Sequence, residues 1–168
     1  MRNSKMKGFT LIELIVVIAI IGVLAAILVP SMIGYVGQSK LSTTNSNAKL
    51  AYTNSATYCT NCEVAGYTVS GGTPLQVNLT GGTAGAEYAK DGSHLSEALC
   101  SLMGGSASSG QATVVISSTG VPEKTAWAKT TEDKYVGGYP VAATIAKNGS
   151  GASETWIKIE DATTQAGT

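Results

Sequence analysis

From Phe9 to Val29 the chain runs through 21 residues in which only Thr10, Glu13 and Gly22 interrupt the apolar side chains. A helix rises about 1.5 Å per residue, so a run of this length matches the roughly 30 Å hydrocarbon core of a bilayer and predicts a membrane-crossing helix. Pro30 has no amide hydrogen and disfavours helix just before it, so a kink is expected there rather than an end. Beyond it, Ile33, Val36, Leu41, Thr44, Ala48, Ala51, Ser55 and Tyr58 return near the 3.6-residue period, a weak stripe of mostly small residues. Ser42, Thr43, Asn45, Asn47, Lys49 and Asn54 make the opposing polar face. The helix is thus expected to continue to about Tyr58, its polar half depending on packing because those residues are poor helix formers.

The pattern changes after residue 65. Gly66 to Gly92 is rich in Gly and Thr, with one short strand expected at Gln76–Leu79. Ser93 to Met103 reads as a short helix, capped by Ser93 and ended by Gly104 and Gly105. Period-two alternation then predicts strands at 112–118, 124–130, 139–147 and 154–160, with Asn148-Gly149-Ser150-Gly151 as a hairpin signal. The expected fold class is α+β: a long kinked N-terminal helix packed on a C-terminal antiparallel sheet. Its divisions are a basic leader at 1–8, a membrane-spanning segment at 9–30, and a body at 31–168 made of the helix continuation and the globular part.

Charge sharpens the N-terminal picture. The chain carries 11 Lys and Arg against 11 Asp and Glu, and three of the positives, Arg2, Lys5 and Lys7, precede the apolar run. Basic residues on the near side keep the start of the chain in the cytoplasm and send the rest outward. The mildly acidic remainder has no electrostatic footprint for nucleic acid. A cleavable secretory signal would have an apolar core of about 7–15 residues, shorter than this one. A lipoprotein signal needs a cysteine directly after the apolar stretch, and the first here is Cys59. An ordinary anchor has no reason to keep Glu13, because charged groups at mid-membrane cost on the order of 2.5–3.5 kcal/mol on insertion scales. Glu13 therefore calls for a partner.

The run Lys7-Gly8-Phe9-Thr10-Leu11-Ile12-Glu13 resembles the processing motif of type IV prepilins and of the related pseudopilins of type II secretion. The resemblance implies cleavage after Gly8 by a membrane prepilin peptidase and methylation of the new amine on Phe9. It implies that Gly22 and Pro30 bracket a stretch of helix that loosens on assembly. It further implies an assembly platform and a homo-oligomeric helical filament, with the chain single-pass in the cell membrane before assembly and extracellular afterwards. Cleavage would create an amine about one helical turn from Glu13, so the carboxylate of one subunit can be neutralised by an amine, its own or a neighbour's. A pseudopilin, or a minor pilin displaying an adhesin or other binding module, is the alternative.

Little else in the chain suggests chemistry. With His94 as the one histidine, no Ser/His/Asp set can be assembled, and a structural subunit rather than an enzyme is expected. Asn78-Leu79-Thr80 and Asn148-Gly149-Ser150 match a glycosylation pattern short enough to arise by chance. Cys59, Cys62 and Cys100 leave three possibilities: a disulfide from Cys100 to Cys59 or Cys62, a zinc site of the three thiols with His94, or free thiols. The disulfide is favoured and no cofactor is expected, zinc being the alternative. Trp127 and Trp156 fall in predicted strands, where core packing is the expected role.

Overall fold

The computed structural model describes residues 8–69, 71, 74–80, 94–104, 108–130, 133 and 135–141. The chain divides between Gly37 and Gln38. One helix, α1, runs from Leu11 to Val64 with Pro30 inside it. Proline's missing amide hydrogen costs the Ala26 carbonyl its usual helical donor, yet the flanking residues hold the helix together.

In the first unit, every residue from Gly8 to Val36 is exposed. That includes Ile33 and Val36, which the 3.6-residue stripe had placed on a buried face. This part of α1 is long and apolar enough to cross a membrane, and none of its apolar window is buried in the chain's own fold.

In the second unit, α1 turns one complete face inward. Thr44, Asn47, Ala48, Ala51, Ser55, Tyr58, Cys59 and Cys62 are all buried, at steps of one, three and four residues that keep them on one side. The face is built of small residues, so the helix backbone can lie close to what it covers. That is a four-stranded antiparallel sheet of order β1-β2-β3-β4, formed by Leu75–Asn78, Gln111–Ile116, Pro122–Ala128 and Gly137–Tyr139. Opposite residues in the register include Val77↔Ala112, Ala112↔Trp127 and Val114↔Thr125. Val77, Ala112, Val114, Ile116 and Trp127 join the buried side chains of α1 in one core, which gives Trp127 its packing role. Helix α2, Leu95–Leu102, adds Leu95, Ala98 and Leu99 to it.

Polar contacts fix helix and sheet in register. The Thr125 hydroxyl donates to the Ala48 carbonyl at 2.7 Å. The Gly138 amide donates to Asn45 Oδ1 at 3.0 Å, and the Tyr52 and Tyr139 rings meet at 4.8 Å between centroids. Gly137 is required where it stands, because a Cβ there would lie 2.1 Å from the backbone carbonyl of Thr44. The opposite side of the sheet buries Thr113, Ala126 and Ala128, and the Thr113 hydroxyl has no hydrogen-bond partner among the described residues.

Both helices end on identifiable caps. At the C-terminus of α1, Gly66 takes φ +85°, its amide donates to the Glu63 carbonyl at 3.0 Å, and the Tyr67 amide donates to the Cys62 carbonyl at 2.9 Å. This is a Schellman cap, and glycine is the residue that reaches its left-handed position without strain. α1 therefore outlasts the expected end at Tyr58 by six residues. The cap of α2 is His94 rather than Ser93, which lies outside the described residues. The His94 amide, one of the donors a helix start leaves over, is taken by the Tyr58 hydroxyl at 3.0 Å.

The α+β arrangement expected from the sequence is the one observed, with corrections of detail. Asn47, assigned to the polar face, is buried, while Asn45 and Asn54 are half-buried. β3 begins at Pro122, ahead of the expected 124, and β4 occupies Gly137–Tyr139, where only Tyr139 was expected in a strand. The expected strand at 154–160, with Trp156, the hairpin at 148–151 and most of 139–147 lie outside the described residues.

Candidate functional site

The segment that carries the chemistry is the start of α1. Gly8, Phe9 and Thr10 precede the helix without helical structure and are exposed, Phe9 by 82%. The Gly8–Phe9 peptide bond thus lies in accessible, non-helical backbone.

Thr10 is the N-cap and Glu13 sits three positions later. The Thr10 amide and hydroxyl both donate to Glu13 Oε2, at 2.9 and 2.7 Å, and the Glu13 amide donates to the Thr10 hydroxyl at 3.4 Å. This reciprocal arrangement is a capping box, and it satisfies two of the amides that a helix start leaves without acceptors. The acid also lies at the end of the helix where the backbone dipole favours negative charge. Glu13 stands out in the sequence by its charge, whereas Thr10 does not. The signal that could have found it was present: a threonine three residues before a glutamate at the head of an apolar run.

Further along α1, Gly22 and Pro30 are both exposed, and an added Cβ at Gly22 would meet nothing within 4 Å.

The cysteines stand apart from this segment. No disulfide joins the three, which lie with Cys59 and Cys62 buried on the inward face of α1 and Cys100 half-buried on α2. Burial, followed by the neighbouring Cys62, pushes the Cys59 thiol up to about 11. Burial and then Glu97 also raise Cys100, whose thiol donates to the Asn78 carbonyl at 3.7 Å. His94 pairs with Glu97 through Nδ1. Among the described residues no three His, Cys, Asp or Glu side chains are placed to hold a metal ion, so the structure does not gather the four candidate zinc ligands.

Comparison with known proteins bears on the same segment. Residues 3–29 match the family model of the prokaryotic N-terminal methylation motif. The chain is 51% identical over 51 residues to the type IV major pilin protein PilA of Myxococcus xanthus, an alignment covering 30% of this chain and 23% of that protein. It is 58% identical over 45 residues to the type IV major alpha-pilin of Moraxella bovis, covering 27% of each. It is 55% identical over 40 residues to the type IV major fimbrial protein FimA of Dichelobacter nodosus, covering 24% of this chain and 26% of that one. The chain thus spans about a quarter of the length of these curated relatives. No solved structure matches it. The exposed apolar helix and the capped acid at its start thus fall in the stretch that matches the N-terminal methylation motif, and over about a quarter of its length the chain is similar to type IV major pilins.

Proposed function

We propose that this chain is the precursor of a structural subunit of a type IV pilus, cut between Gly8 and Phe9, methylated on the Phe9 amine, and polymerised through the apolar half of α1. The observation that carries this reading is an apolar helical segment with none of its side chains covered by its own fold. Surface of that kind needs lipid or other apolar helices around it. The two environments are successive in this proposal: membrane before assembly, the packed helices of identical subunits afterwards.

The relatives are major pilins and fimbrial proteins by name, which favours a filament-forming subunit over a pseudopilin. The capped position of Glu13 supports its role in register, since the amine formed at Phe9 arises a few residues from a carboxylate already held at the helix start. The prepilin peptidase, the assembly platform and the membrane are the partners this reading requires. Intact mass of the subunit from sheared filaments tests it: loss of Met1–Gly8 with one added methyl is expected. A filament subunit retaining Arg2, or absence of this chain from the filaments, rejects it.

A further inference from the structure

We propose that Thr10 is the positioning residue of Glu13, holding the carboxylate against the start of α1 before cleavage has produced any amine. In the full-length chain the Glu13 carboxylate is engaged by Thr10 without any free amine at Phe9. One oxygen, Oε2, accepts from both the amide and the hydroxyl of Thr10, while that hydroxyl accepts from the Glu13 amide. Three contacts between two side chains and two amides leave the acid little rotational freedom.

Two costs are relieved together. An acid within an apolar segment is expensive without donors, and the leading amides of a helix have no acceptor within it. Each answers the other, so the precursor carries its acid into the membrane already bonded. The amine released at Phe9, one residue ahead of Thr10, then forms beside a fixed carboxylate. Threonine is suited to this because its hydroxyl donates and accepts at once. Valine matches its shape and does neither, whereas serine does both.

The first arm of the test needs no filament and does not rest on the proposed function. Full-length precursor made without prepilin peptidase is placed in lipid nanodiscs, and exchange of the Thr10 amide is followed by NMR. Exchange is expected to be at least about tenfold slower than in Glu13→Ala, the value of one hydrogen bond to a charged group. Equal rates in the two chains overturn the proposal. The second arm rests on the pilus reading and compares filament yield from Thr10→Val and Thr10→Ser. The valine variant is expected to lose about tenfold and the serine variant to stay near the unsubstituted chain. Full yield from Thr10→Val overturns the positioning role. If the unsubstituted chain forms no filament, the pilus reading falls, and the exchange arm still decides the role of Thr10.

Discussion

Along α1, the residues up to Val36 are mostly Ile, Val, Leu and Ala and are exposed, whereas those from Thr44 to Cys62 are mostly Ala, Ser, Thr and Asn and bury a whole face. Composition alone would have assigned the burial the other way round. The difference shows that hydrophobicity marks which surface must be covered, and not what covers it. The second half is covered by its own chain because its residues are small: Ala48, Ala51 and Ser55 let a sheet come close enough for Thr125 and Gly137 to meet the helix backbone. The first half is large, branched and uncovered, so its environment must be supplied from outside.

The sharpest way to break this contrast is at Gly137. Gly137→Val would drive a side chain into the Thr44 carbonyl and is expected to destabilise the body by roughly 3 kcal/mol, read by thermal melting of the full chain in detergent. Membrane extraction of that variant should be unchanged. A paired substitution tests the two halves directly. Ala51→Leu overpacks a buried position and is expected to cost about 1–3 kcal/mol. Ala26→Leu, on the exposed apolar half, is expected to change the same melt by less than about 0.5 kcal/mol. Equal effects would mean that the halves do not differ as described.

The two faces of the sheet give a smaller contrast of opposite sign. Thr125→Val removes a buried hydrogen bond to Ala48 and is expected to lower stability by about 1 kcal/mol. Thr113→Val removes a buried hydroxyl that has no partner among the described residues, and is expected to be neutral or to stabilise by up to about 1 kcal/mol. Chemical denaturation resolves both.

Much of this architecture could be read in the sequence, and the parts that could not share one cause. The apolar run, Glu13 and the short helix α2 were legible because composition and periodicity state them locally. The end of α1 was not, since Cys59-Thr60-Asn61-Cys62 has no strong helical pattern; burial of both cysteines and the cap at Gly66 carry the helix on. Asn47 looked solvent-facing because its polarity does not reveal that it lies on the buried face of α1. Gly137 fell just ahead of the expected strand at 139–147, although it is a strand glycine demanded by the close approach of α1. The expectation of processing at Gly8 and Phe9 rests on resemblance, because nothing in the physics of Gly8 marks a cleavage site. Thr10 was written in a local code that went unread.

The cysteines provide the smallest expected effect. Denatured, metal-free protein should titrate three thiols, and a titre of one would mean that a bridge had formed. In the native protein Cys100 should react first with a maleimide, because Cys59 is buried and its thiol is raised to about 11. A raised thiol favours the folded state while neutral. Its contribution is therefore complete below the unfolded value near 9.0 and is lost as pH rises through about 11. Stability of Cys59→Ala should decline less over that interval than stability of the unsubstituted chain.

The bond from the Gly138 amide to Asn45 bears on a hazard shared by all sheet proteins, pairing of exposed strand edges. That amide points away from β3, and on an open sheet edge it would be a template for a strand from another molecule. A side chain of α1 occupies it. At the other edge the Cys100 thiol reaches the outward Asn78 carbonyl. For the filament subunit proposed above, a single route of polymerisation is an advantage, and stitching strand edges to its own helices discourages the cross-β alternative. In that proposal growth is left to the apolar half of α1, which is exposed among the described residues.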